Sequence, residues 1–345
     1  MENKKTNRIT APDLLRGLGI LLMVEGHIHT TPDALRSFIY AFHMPLFFLI
    51  SGYFYRKPAS AGSFMKRKAK AFFTPYLVFG LYYAITEALK ADLFSQSFLG
   101  YLNALFVNPL YHLPAESALW FLPSLFFTEL FALLIDQTNR KKLIWILTVV
   151  LTLVGCFWSS IFSFRLPWAM DTALAAQGFF RLGQLYREKS AVIEAPEKVW
   201  NRPYVGFFTA FITAILIHLN GSLNMRTGSW GFIPLTYFNA VAFTWCCYRF
   251  CLLLEKKFSS AASILLVIGQ RSMVFLCMNH SIIRLCRNAV DLCFPNCENL
   301  FCAFASEFML FLFSVILLYT AAALFEKTNL RILLGKPPLH AERIK

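Results

Sequence analysis

Apolar windows of about 18 to 25 residues recur from one end of this 345-residue chain to the other, and each is long enough to cross roughly 30 Å of hydrocarbon as a helix. Hydrocarbon offers the backbone no water, so a segment placed there must satisfy its own N–H and C=O groups, and a helix does that within one segment. Ten windows are readable, at residues 11–30, 36–55, 71–90, 118–135, 143–161, 168–186, 203–220, 230–254, 260–283 and 299–325. Pro167 and the Ser159-Ser160 pair leave the joint between the fifth and sixth ill defined. A composition 57% hydrophobic and only 15% charged suits a bilayer and no ordinary soluble domain. The expected fold is therefore all-α, a polytopic membrane helix bundle of about ten transmembrane helices forming one domain over residues 1–345.

Charge placement gives that bundle a direction. The stretch "MENKKTNR" precedes the first window with no small-residue cleavage site after it, so the window reads as a permanent helix with its N-terminus inside. With ten crossings, most of the 33 Lys and Arg residues then fall in the N-terminal tail, the inner loops and the C-terminus, as short cytoplasmic segments require. The outer segments hold Arg36, Lys90, Arg165, Arg226, Arg284 and Arg287, while Arg16, Arg181 and Arg271 lie within spans. Both termini are thus expected in the cytoplasm. The net charge of +14 speaks of membrane orientation and anionic lipid, and no soluble segment is long enough to be a basic nucleic-acid-binding domain.

Nine cysteines add little. Cys156, Cys246, Cys247, Cys251 and Cys277 sit inside spans as small apolar filler. Cys293 and Cys297 share the last outer loop with Cys286 nearby, a spacing that allows a disulfide and is also compatible with free thiols. No zinc-ligand spacing occurs, so no metal and no permanently bound cofactor is expected.

Ionisable groups inside spans carry the functional signal, because hydrocarbon makes them costly. Arg16 lies near the inner end of the first window and His27 near its outer end, eleven residues on. At 100° per residue that separation is about 20° past three full turns, so both side chains project from one face roughly 16 Å apart. Singly, Arg16 reads as a snorkelling helix-end residue and His27 as a helix-packing hydrogen bond. Together they suit one long ligand, anionic at its inner end and reactive at its outer end, as an acyl-coenzyme A is: phosphates for arginine, then an extended thioester arm.

The second window, "RSFIYAFHMPLFFLISGYFY", runs inward and sets His43 near the depth of His27, with Pro45 expected to free a carbonyl and kink the helix beside it. His280 lies at a similar depth in the ninth window. Glu25 sits about 160° around the helix from His27 and should not pair with it. Asp13 is placed to brace Arg16 across one turn. Glu129, Asp171 and Glu307 read first as counter-charges for buried basic groups. The loop "RKPASAGSFMKRKAKAFFTPY" concentrates Arg56, Lys57, Lys66, Arg67, Lys68 and Lys70, which serves equally as a positive-inside stop signal or as a phosphate-binding rim.

These residues resemble the acyltransferase 3 family of integral membrane acyltransferases. The resemblance rests on "DLLRGLGILLMVEGH", with the Arg-x10-His spacing as Arg16 and His27, and on "FHMPLFFLISGYFY", similar to the fucose 4-O-acetylase-like, polysaccharide O-acetyltransferase branch. It continues through "KRKAKAFFTPYLVFG", "LWFLPSLF", "FRLGQLYREK" and "IGQRSMVFLCMNH". It implies a ten-helix bundle in the cell's inner membrane. The donor substrate would be cytoplasmic acetyl-coenzyme A or another acyl-coenzyme A, and the acceptor a hydroxyl of a cell-envelope glycan, carbohydrate or glycolipid. His27 would carry the chemistry as general base or as nucleophile, with His43 beside it, and Arg16, Arg67, Lys70 and Arg181 would hold the donor. Asp13, Glu25, Ser51, Glu129, Arg271 and His280 would support the site or face the acceptor. The family's Arg-x-x-Arg motif is here Arg67-Lys68-Ala69-Lys70, and lysine in the last place keeps the charge but loses bidentate phosphate geometry. A transporter of lipid-linked sugars or other amphipathic solutes would also suit ten spans with buried charge, although it has no need of the one-helix Arg/His register.

Overall fold

The computed structural model describes residues 11–28, 31–89, 96–106, 118–195, 197–221, 223–294 and 300–339. Among them are fourteen α-helices, short 3-10 turns and no strand beyond an isolated bridge between Asn224 and Ser229. In chain order they are α1 (Ala11–Gly26), α2 (Asp33–Tyr40), α3 (His43–Phe54), α4 (Ala61–Ala88), α5 (Gln96–Phe106), α6 (Phe121–Asp136) and α7 (Lys141–Ile161). Then follow α8 (Met170–Ala175), α9 (Gln177–Ile193), α10 (Pro203–Asn220), α11 (Ile233–Lys257), α12 (Ser259–Gln270), α13 (Ser272–Cys293) and α14 (Leu300–Lys327). Each of the ten apolar windows is mainly helical over its described residues. Six stretches are long and apolar enough to cross a membrane unaided: 33–54, 118–136, 141–161, 203–220, 233–257 and 301–327. The bent pair α12 and α13 makes a seventh if it counts as one crossing. The chain is a multi-pass membrane helix bundle.

Small residues set how closely the central helices approach. A Cβ on Gly17 would stand 2.2 Å from the carbonyl oxygen of Leu265, and one on Gly269 1.9 Å from that of Asp13, so α1 and α12 touch backbone to backbone. Gly52 and Gly183 do the same for α3 and α9. The outer flanks of α7, α10 and α14 carry exposed Ile146, Val150, Phe207, Phe211, Phe304 and Phe308, the side chains a lipid-facing surface requires.

Several segments differ from expectation, each for a local reason. The ninth window is not one straight helix, since α12 and α13 meet at 82° around Arg271. The glycine contact locks α12 across α1 while α13 must run along α14, and one straight rod cannot meet both demands. The expected kink beside His43 falls at Ala41 and Phe42, between α2 and α3, because Pro45 sits in the first turn of α3, where no helical N–H is missed. The outer loop expected at 91–117 contains α5, and that expected at 284–298 is helical through Cys293, while 91–95, 107–117 and 295–299 lie outside the described residues. The joint left open between the fifth and sixth windows is a 3-10 turn, Pro167–Ala169, with Trp168 and Ala169 both at positive φ. Cys293 is a free thiol, so the Cys293–Cys297 disulfide is not formed. Cys302 is the disulfide-bonded residue instead, and Cys297 lies outside the described residues.

Candidate active site

Two cavities are stacked along the same helices. The larger, about 540 Å³, is lined at its polar end by Arg16, Arg56, Arg67, Lys68 and Lys336, with Glu129 as its one carboxylate. Its walls are apolar: Ile20 of α1, Phe47 and Phe54 of α3, Phe64 and Phe72 of α4, Leu122 and Leu125 of α6, and Met273 and Leu276 of α13. The smaller, about 240 Å³, is lined by His27, His43, Tyr40, Trp120, Arg36 and Arg226, among others. We call them the basic and histidine cavities.

Each cation in the basic cavity is held in place by a defined contact. Arg16 donates from Nη1 to Asp13 Oδ1 at 2.9 Å, one turn back, and its guanidinium lies 5.3 Å from the ring centre of Phe54. Asp13 is buried, so the pair fixes the arginine head against the cavity wall. Phe64, Arg67, Lys68 and Phe72 recur at helical spacing and put one face of α4 on the cavity. Lys68 lies 5.4 Å from the ring centres of both Phe64 and Phe72 and donates to Glu129 Oε1 at 2.7 Å. Lys336 arrives from the far end of the chain: Thr328 caps a 3-10 turn, Asn329–Leu334, Gly335 takes φ +73°, and Lys336 pairs with Glu326. A Cβ on Gly335 would stand 2.4 Å from the carbonyl oxygen of Lys70, so only glycine lets this tail lie against α4.

The histidine cavity fixes two imidazoles in the same way. His27 Nδ1 lies 2.6 Å from the carbonyl oxygen of Met23, and His43 Nδ1 lies 2.9 Å from that of Ile39. A carbonyl can only accept, so in each neutral ring the proton sits on Nδ1 and the lone pair on Nε2, the tautomer a general base needs. His43 is 4% exposed, whereas His27 is only half-buried and so the more accessible of the two. Tyr40 stands between them, its ring centre 6.4 Å from that of His27 and 5.2 Å from that of His43, and its hydroxyl donates to Gly26 O at 3.0 Å.

The partition between the cavities is thin. On α3, Met44 lines one and Phe47 the other, about 4.5 Å along the axis, and Trp120 and Phe121 divide the same way. Phe121 packs edge to ring on Phe48 and tilted against Phe47, closing the gap with aromatic side chains.

Six of the twelve site residues singled out from sequence line these two cavities. Arg16, Arg67, Ser51 and Glu129 line the basic cavity, and His27 and His43 the histidine cavity. Lys70 is exposed and Arg181 pairs with Asp136 at 3.0 Å, so neither lines it. His280 packs on Tyr83 of α4 at 5.8 Å between ring centres, and Arg271 at the bend lies over Tyr319 of α14. Glu25 accepts from Thr31 Oγ1 at 3.2 Å, on the side of α1 away from His27. Sequence reasoning missed Tyr40, Trp120, Arg226 and Lys336 as site residues. Tyr40 was within reach, three residues before His43, whereas Lys336 needed the fold of the tail.

The fold is thus a multi-pass membrane helix bundle in which a basic cavity and a two-histidine cavity lie along the same helices. The family model of the acyltransferase 3 family, described as an acyltransferase domain, matches residues 9–327, and the chain belongs to that family. No curated protein and no solved structure matches it.

Proposed function

We propose that this membrane acyltransferase moves an acyl group, acetyl in the simplest case, from cytoplasmic acyl-coenzyme A to a hydroxyl of a cell-envelope glycan or glycolipid. The observation that carries the reading is the division of α1 and the turn at its end between two cavities, with Arg16 in the basic cavity and His27, eleven residues along, in the histidine cavity. Five cationic side chains around an apolar vault suit the phosphates and extended arm of coenzyme A. In the reading adopted here, the basic cavity opens to the cytoplasm of an inner (plasma) membrane and the histidine cavity to the opposite side.

His27 acts as the base. Its Nε2 takes the proton of the acceptor hydroxyl as that oxygen adds to the thioester carbonyl. The tetrahedral intermediate then collapses, the C–S bond breaks, and the coenzyme A sulfur leaves with the proton from the imidazolium, giving an ester and the free thiol. A base so placed typically contributes roughly 10²- to 10⁴-fold. His43 lies in the same cavity and can orient the acceptor. Ser51 lies eight residues further along α3, in the basic cavity, and therefore belongs to the donor arm.

The test is release of coenzyme A thiol from acetyl-coenzyme A by purified protein, with and without an envelope-glycan fraction. Glycan-dependent release, abolished in His27→Ala and weakened in apparent donor affinity in Arg16→Ala, is the expected result. Normal turnover by a well-folded His27→Ala protein would overturn the reading.

A further inference from the structure

Asn279 of α13 is 1% exposed, and neither its Oδ1 nor its Nδ2 has a hydrogen-bond partner among the described residues. A primary amide buried without partners is a costly feature, and in a folded protein it calls for a reason. Its neighbours on the helix are buried Phe275, Leu276, Ile282 and Ile283, an environment that would favour leucine.

Placement supplies the reason. Ser272, Met273 and Leu276 form the stripe of α13 that lines the basic cavity. Asn279 is seven residues past Ser272, within about 20° of the same face and roughly 10 Å further along. Ile20 of α1 lines the basic cavity, and His27, seven residues further and just past the end of α1, lines the histidine cavity. α13 packs against α1 and against the 3-10 turn Ala118–Trp120, whose Ala118 and Trp120 line the histidine cavity. Asn279 lines neither cavity itself, and the register of the stripe sets it between them, at the level a thioester held in the basic cavity must cross to reach His27. Asn239 is similarly unpaired, but its neighbours Phe238, Val241 and Ala242 line an apolar groove outside both cavities.

Building on the acyl-transfer reading, we infer that Asn279 binds the donor's thioester carbonyl, its Nδ2 donating to the oxygen on which charge grows when the acceptor adds. Empty, the amide is an unpaired polar group. Occupied, it is satisfied by the one substrate atom that most needs a donor.

The experiment compares wild type, Asn279→Leu and Asn279→Met in detergent by thermal unfolding, acetyl-coenzyme A turnover and equilibrium binding. Leucine removes the orphaned group, so Asn279→Leu should melt no lower than wild type while kcat falls by about 10²- to 10³-fold, the usual cost of losing one such donor. Asn279→Met likewise has no donor, and should lose turnover equally, which covers the case of a leucine variant that folds poorly. Binding gives a readout independent of turnover: wild type should prefer acetyl-coenzyme A to free coenzyme A, and both variants should bind the two alike. Wild-type turnover with either variant, or an unchanged preference, would overturn the inference. Wild type that shows the preference without any His27-dependent turnover would leave this contact standing and sink the transferase reading instead.

Discussion

Replacing Gly52 by alanine should open the contact between α3 and α9 and disturb both cavities at once. A Cβ there would stand 1.9 Å from the carbonyl oxygen of Phe180, and its counterpart on Gly183 2.0 Å from that of Leu49. Ordinary van der Waals contact begins near 3.4 Å, so the two backbones must separate by about 1.5 Å (3.4 − 1.9) in the first case and about 1.4 Å (3.4 − 2.0) in the second. The obstruction is backbone on both sides, so no rotamer change relieves it. Overpacking of this kind costs about 1–3 kcal/mol, a five- to more than hundredfold shift toward the unfolded form. Because α3 carries His43 and Met44 in one cavity and Phe47 and Ser51 in the other, a displacement above 1 Å should also lower turnover by about 10²-fold. Thermal unfolding in detergent and coenzyme A release, run on Gly52→Ala, Gly183→Ala and Gly206→Ala, check both effects. Gly206 on α10 has nothing within 4 Å of the added methyl and should behave as wild type. A Gly52→Ala protein with wild-type stability and turnover would refute the packing argument.

Three further outcomes follow from other parts of the molecule. Lys336→Gln should raise the KM for acetyl-coenzyme A about tenfold and leave kcat near wild type, since the side chain lines the donor cavity and not the histidine cavity. Asp171→Asn should destabilise the protein by about 3–5 kcal/mol, because Arg165 is buried with it as an ion pair and would be left uncompensated. Arg165 Nη1 also donates to the carbonyl of Arg226 at 3.0 Å, in the loop lining the histidine cavity, so the same variant should weaken acceptor binding more than donor binding, as read from the two KM values. Cys293, exposed and free, should react with a membrane-impermeant maleimide without prior reduction, whereas Cys302 should react only after it; labelling at Cys302 first would contradict the disulfide assignment.

What the sequence disclosed and what it withheld follow one physical division. Periodicity and spacing along a single helix are one-dimensional, so the Arg16/His27 register, the bracing of Arg16 by Asp13 and the separation of Glu25 from His27 could all be read before any fold was known. Depth could be read too, which brought His27 and His43 to one level. Lateral position could not: His280 shares that level yet packs on Tyr83, and Arg181 turns to Asp136. The bend at Arg271 was hidden because apolar composition runs straight through it, and the cause lies in Gly17 and Gly269 on two different helices. Lys336 was hidden for the same reason, since its route into the cavity depends on Gly335 fitting against the backbone of Lys70.

The central claim is that donor and acceptor enter from opposite sides and meet at His27. Its most direct test places the protein in sealed vesicles with labelled acetyl-coenzyme A trapped inside and an envelope-glycan acceptor only outside. The account predicts label on the outside glycan in wild type and none in His27→Ala. Transfer that occurs only when donor and acceptor share a compartment would contradict it.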